Sequence, residues 1–68
     1  MRSITGRELA RALERNGWSL ARQHGSHYIY LKPGSVVRIS VPIHGNTALK
    51  KGLAAHLLKQ AGLTDTDV

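Results

Sequence analysis

The sequence predicts a small α+β fold with the element order α-β-β-β-α and a three-stranded antiparallel sheet. Apolar residues recur with helical spacing near both ends of the chain, and they alternate with polar residues in the middle. The connections between the middle segments are short, whereas a parallel crossover needs about a dozen residues or more. A sheet of this size needs cover on one face, so both helices are expected there.

The first helix begins after Thr5. Thr5 and Glu8 have the spacing of a capping box, in which each side chain accepts a hydrogen bond from the other residue's backbone amide. From Leu9 the apolar residues follow at i, i+3 and i+4, which predicts a helix to about Asn16. Gly17 suits the position just after a helix end. The side of the helix away from this stripe is basic, with Arg7, Arg11 and Arg15.

Two strands with a tight connection follow. The first starts at Trp18, and strict alternation places Trp18, Leu20 and Arg22 on one face before the polar segment His24-Gly25-Ser26 turns the chain. The second, His27 to Leu31, is rich in aromatic and β-branched residues. Together they predict a β-hairpin.

The third strand is predicted over Val36 to Val41, after the turn residues 32–35, and Pro42 is expected to end its pairing. Alternation within the second strand also separates two groups of side chains. The sequence leaves open which of the two is buried: His27, Ile29 and Leu31, or Tyr28 and Tyr30.

The last helix is predicted from apolar residues at i, i+3, i+4 and i+7, namely Ala54, Leu57, Leu58 and Ala61. Gly62 is expected to end it. Lys50 and Lys51 fall just before or within its first turn, where free backbone amides and the helix dipole favour an anion. These two lysines are therefore candidate phosphate ligands.

Composition restricts the classes of function. Ten Lys and Arg against four Asp and Glu give a net charge of +6, which attracts polyanions, so nucleic acid or an acidic protein is the expected partner. The absence of cysteine excludes disulfides, thiolate zinc sites and a cysteine nucleophile. No apolar run approaches the length of a membrane span, and the N-terminus lacks a signal-peptide core, so a cytoplasmic protein without membrane contact is expected.

Histidines are the remaining candidates for chemistry. His24, His27 and His44 lie in or beside connections, but their spacing lacks the helical register of histidine metal motifs, so we expect no metal ion or other cofactor. Around the hairpin turn, His27 could exchange a proton with a ribose 2′-hydroxyl, Arg22 could neutralise phosphate charge and a tyrosine could stack on a base. In the alternative interpretation the tyrosines pack in the core and His27 only ends a strand.

Several motifs in this order resemble the HicA family of small toxins over about residues 4–64, within a single domain spanning 1–68. The motifs are Gly17-Trp18, Arg22, Gly25-Ser26-His27, Val41-Pro42-Ile43-His44-Gly45, Lys50-Lys51-Gly52 and Leu57-Leu58-Lys59-Gln60-Ala61-Gly62-Leu63. The resemblance implies a fold similar to the double-stranded-RNA-binding domain and a ribonuclease that cleaves messenger RNA. It also implies inhibition by a HicB-type antitoxin protein. The essential histidine of the family's Gly-Ser-His motif corresponds to His27.

The expected site therefore has His27 as the catalytic residue. Phosphate or substrate contacts are expected from Arg22, Gly25, Ser26, Lys50 and Lys51, and the auxiliary candidates for a second proton transfer are His24 and His44. Two other readings stay open: a non-catalytic RNA-binding module, and a basic docking surface for an acidic partner protein. At the start of the second helix the family commonly has Gly-Thr-Leu, where this chain has Gly52-Leu53-Ala54.

Overall fold

The computed structural model describes residues 2–68, so residue 1 of the predicted single domain lies outside the described part. The strands pair antiparallel in the order β1-β2-β3. This confirms the predicted order α-β-β-β-α, with a short 3₁₀ helix added after the second α-helix. The elements are α1 (Gly6–Arg15), β1 (Ser19–His24), β2 (His27–Leu31), β3 (Ile39–Pro42), α2 (Lys51–Ala61) and the 3₁₀ helix Asp65–Asp67.

The capping box at the start of α1 is confirmed. The amide of Glu8 donates to Thr5 Oγ1 at 3.0 Å, and the amide of Thr5 donates to Glu8 Oε1 at 2.9 Å. The bond from the Thr5 amide is the main reason that the pKa of Glu8 lies below its usual value, and Arg2 contributes in the same direction. The helix therefore starts where local sequence predicts it, and Glu8 is held at its N-terminus.

Both helices cover the same face of the sheet. Tyr30 pairs with Ile39 and Tyr28 pairs with Val41, so these four side chains share a face. Ile39 and Val41 are fully buried and Tyr30 is nearly so, within a core that includes apolar residues of α1 and α2. The opposite face, which carries His27, has no helix over it.

A β-bulge changes the predicted alternation of β1. Leu20 pairs with Tyr30, but Arg22 pairs with Ile29, so Ala21 is the extra residue on the β1 side. The prediction of a single face for Leu20 and Arg22 is therefore wrong. The bulge leaves Leu20 on the helix-covered face and moves Arg22 to the face that carries His27.

The third strand begins later than predicted and includes Pro42. Val36 is fully exposed, and the amide of Val37 donates to Ser35 Oγ at 3.1 Å, so the turn continues through the residues that were expected to start the strand. Pro42 does not end the pairing as predicted, since it pairs with His27. Proline is tolerated there because β3 is an edge strand and Pro42 is its last residue.

The segment after α2 returns to the core. The side chains of Arg2 and Arg15 donate to the carbonyl oxygens of Val68 and Asp67, both at 3.0 Å, and Val68 packs against the core. Between residues 2 and 68, no helix has the length and apolar character needed to cross a membrane.

Tyr30 supports a prediction about stability. Its hydroxyl donates to Glu14 Oε2 at 3.0 Å, and burial, together with this hydrogen bond, raises the pKa of Tyr30 to about 12. Tyr30→Phe is expected to lower the free energy of unfolding by about 0.5–1.5 kcal/mol at neutral pH because the hydrogen bond is lost.

The stabilisation that Tyr30 gives the wild type, and that Tyr30→Phe lacks, falls as the pH rises. The folded state holds the Tyr30 proton more tightly than the unfolded chain, so its contribution is complete below the unfolded pKa of about 10 and is lost as the pH rises towards 12. Denaturant unfolding of the wild type and of Tyr30→Phe at several pH values checks this. Stability curves that run parallel through this alkaline range would contradict it.

Candidate functional site

The β1–β2 hairpin places two histidines side by side. His24 pairs with His27, and the two residues between them form the turn. Gly25 has a φ of +57°. No non-glycine residue in the described part of the chain has a positive φ, so the φ of Ser26 is negative. This combination is that of a type II′ turn, which favours glycine at its first central position. Directly paired residues have Cβ atoms about 4.5–5.5 Å apart, so both imidazoles project from the end of the sheet at the β1–β2 turn. We call this end of the sheet the histidine edge.

The chain after β3 adds a third histidine to this edge. The amide of Ile43 donates to the carbonyl oxygen of Ser26 at 2.7 Å, which extends the pairing beyond Pro42. His44 follows, and its Nε2 lies 3.3 Å from Ser26 Oγ. His27, Ser26 and His44 thus converge around the Gly25-Ser26 turn, and His44 lies two residues beyond the strand partner of His27.

We call the sheet face without helices the open face. It carries a second basic position that the sequence reasoning missed. Arg22 and Arg38 line a shallow cavity of about 230 Å³ together with Ala21, Ile29 and Leu31. Arg38 could have been found from its spacing, because it lies two residues before Ser40, which pairs with Ile29 on this face. The open face comprises Ser19, Arg22, His24, His27, Ile29, Leu31, Ser40 and Pro42, with Arg38 at its margin.

The N-terminus of α2 lies beside the histidine edge. Lys50 is the N-cap and makes no side-chain capping hydrogen bond, and Lys51 is the first helical residue, as the sequence predicts. A cavity of about 330 Å³ extends from Pro42 and His44 to Lys50. Its remaining lining residues are Thr47, Ala48, Leu49 and Leu53. We call it the α2 cavity.

Acidic side chains are absent from the lining of both cavities, since the four Asp and Glu side chains of the sequence lie elsewhere. Glu8 is in the capping box and forms an ion pair with Arg2, with Nη1 3.3 Å from Oε2. Glu14 accepts the Tyr30 hydrogen bond, and the other two carboxylates are in the 3₁₀ helix. The positive charges around the open face are therefore not compensated locally, which favours binding of a polyanion.

The structure brings together most of the predicted site residues. His24, His27 and His44 are exposed, and Ser26 links the turn to His44. The two tyrosines differ from the expectation for base stacking, because Tyr28 and Tyr30 lie on the helix-covered face. Within residues 2–68, no group of three His, Cys, Asp or Glu side chains could hold a metal ion.

Comparison with protein families gives a match over most of the chain. A family model described as the HicA toxin of bacterial toxin-antitoxin systems matches residues 6–63. The matched range runs from the first residue of α1 to two residues beyond α2, and it contains all three strands and the histidine edge. A search of curated proteins finds no match.

Proposed function

Because this chain belongs to the HicA toxin family of bacterial toxin–antitoxin systems, we propose that it is an endoribonuclease that cleaves messenger RNA on its open face. One observation carries the proposal. His27 is exposed on a basic sheet face, beside a second histidine and diagonal to Arg22, with no helix over it. An exposed imidazole can transfer a proton to or from a phosphodiester that the neighbouring cations bind.

The proposed reaction uses side chains and backbone groups of this protein. An RNA strand lies across the open face with its phosphates near Arg22, Lys50 and Lys51 and the backbone of Gly25 and Ser26. His27 acts as general base or general acid on the scissile phosphodiester, and the cations stabilise the negative charge that grows on the phosphate oxygens. Attack by the ribose 2′-hydroxyl then gives a 2′,3′-cyclic phosphate and a new 5′-hydroxyl end.

Control by a partner follows from the family. A member of a toxin–antitoxin family has a cognate antitoxin. We propose a HicB-type protein that covers His27 and the surrounding cations, because an acidic inhibitor on this surface would block RNA by charge and by shape. The proposed substrate is cytoplasmic, so the protein would act in the cytoplasm.

Cleavage of RNA by the purified protein tests the proposal. A mixed-sequence RNA and a DNA of the same sequence are incubated with the protein in the presence of a chelator, and new 5′-hydroxyl ends are counted over time. We expect such ends in the RNA and none in the DNA, because DNA lacks the attacking 2′-hydroxyl. RNA that binds but stays intact would contradict the proposal and favour the non-catalytic RNA-binding module.

Lys50 and Lys51 give a separate prediction about binding. Lys50→Gln and Lys51→Gln are each expected to weaken RNA binding to a similar extent for all sequences, because phosphate contacts carry no sequence information. For single-stranded RNA, the negative slope of log affinity against log salt becomes shallower by about 0.7 for each phosphate contact that is lost. The matched control is Lys59→Gln, which removes the same charge from the last turn of α2. If all three variants change the slope equally, the lysines contribute only net charge.

A further inference from the structure

The proposed reaction leaves one proton transfer without an assigned group, and His44 is placed to supply it. Its Nε2 lies 3.3 Å from Ser26 Oγ, while Ser26 precedes His27 and accepts a hydrogen bond from the amide of Ile43. His27 pairs with Pro42, two residues before His44. Because Ser26 is the chain neighbour of His27 and its hydroxyl contacts His44, the two imidazoles lie close enough for one phosphodiester to contact both.

The α2 cavity lies on the His44 side of the two histidines, and neither His27 nor His24 lines it. It extends from His44 to Lys50, and its apolar surface comes from Pro42, Leu49 and Leu53. Its volume of about 330 Å³ is within the range of small-ligand sites, and it contains no carboxylate to repel a nucleotide. An apolar wall with a cation at one end suits a nucleoside followed by a phosphate.

We propose that the α2 cavity binds the nucleoside on the 3′ side of the scissile bond, and that His44 is the general acid that protonates its leaving 5′-oxygen. This inference rests on the proposed ribonuclease function. Ser26 is a positioning residue, because its hydroxyl fixes the orientation of the His44 ring. Lys50 binds the next phosphate at the N-terminus of α2.

The step balances in atoms and protons. His27 takes the proton of the 2′-hydroxyl, and the 2′-oxygen forms a bond to phosphorus. The bond from phosphorus to the 5′-oxygen breaks, and the protonated His44 gives its proton to that oxygen. The products are a 2′,3′-cyclic phosphate and a free 5′-hydroxyl, and exchange with water restores the starting protonation of both histidines.

His24 is the competing candidate, because it pairs directly with His27. It lies on β1, on the opposite side of β2 from β3, and it does not line the α2 cavity. Strand β2, which carries His27, would therefore lie between a proton donor at His24 and the leaving nucleoside. The structure favours His44 for the leaving-group side.

A leaving group that needs no proton tests the assignment. Single-turnover cleavage is measured on two RNAs of one sequence, one with the natural 5′-oxygen and one with sulfur in its place at the scissile bond. Sulfur leaves as a thiolate without a proton, because thiols are far more acidic than alcohols. On natural RNA, His44→Ala is expected to be slowed about 10²-fold or more, and on the sulfur substrate it should approach the wild-type rate.

Two Ser26 variants and His24→Ala are measured on the same two substrates. Ser26→Ala is expected to show a smaller defect that the sulfur substrate also removes, and Ser26→Thr should restore cleavage of natural RNA because it keeps the hydroxyl. Equal slowing of His44→Ala on both substrates would overturn the assignment, as would rescue of His24→Ala instead. If the wild type cleaves neither RNA, the proposed function itself fails, whereas a wild-type enzyme with an unrescued His44 variant leaves that function intact.

Discussion

Replacement of His27 by alanine is expected to reduce RNA cleavage by about 10²–10⁴-fold, the usual contribution of a general acid or base. The side chain is exposed and makes no core contact, so the variant should fold like the wild type. RNA affinity should change little, because the phosphates are held by Arg22 and the lysines at the start of α2. Cleavage rates in chelator, with affinity measured in parallel, check both parts.

His56→Ala is the matched control for this prediction. His56 is exposed in the middle of α2 and lines neither the open-face cavity nor the α2 cavity. Its removal should leave both cleavage and affinity at wild-type values. A His27→Ala protein that is folded and still cleaves at the wild-type rate would remove the physical basis of the proposed mechanism.

Gly6→Ala is expected to destabilise the protein by about 1–3 kcal/mol, as overpacking of a tight contact does. In a helix alone the same change would be favourable. Here a Cβ on Gly6 would collide with the backbone carbonyl oxygen of Pro42 and would lie 3.1 Å from Ile43 Cγ1. The first turn of α1 and the end of β3 would have to separate, and neither backbone segment can move as a flexible side chain would.

Gly52→Ala provides the opposite expectation at a comparable position. Gly52 is also in the first turn of a helix, but a Cβ there meets no atom within 4 Å. This variant should be neutral or stabilised by up to about 1 kcal/mol. Chemical denaturation of the two variants and the wild type measures the difference. Equal stability of Gly6→Ala and Gly52→Ala would show that α1 and β3 are not in tight contact.

Local interactions explain what could be predicted from sequence. The capping box depends only on Thr5 and Glu8, which are three residues apart, and the ends of both helices depend on nearby glycines. The Gly25-Ser26 turn is local in the same way, although His24, which was expected in the turning segment, instead pairs with His27 at the end of β1.

Non-local pairing explains what could not be predicted. The bulge at Ala21 reverses the face of Arg22, and it depends on how β1 fits against β2 and the helices. Val36 is a β-branched residue, a type that is common in strands, but it lies outside β3 and is fully exposed. The contact of Ser26 with His44 joins residues 18 positions apart and requires the register of β3, so the sequence could name His44 only as one of two auxiliary candidates.

The proposed function requires that RNA binds and is cleaved on the open face, around His27. Titration of isotope-labelled protein with an RNA analogue that lacks 2′-hydroxyls, followed by amide chemical shifts, tests the location directly because the analogue cannot be cleaved. We predict the largest shifts in residues 22–29 and 42–51. Shifts confined instead to the arginine side of α1, at Arg7, Arg11 and Arg15, would contradict the claim.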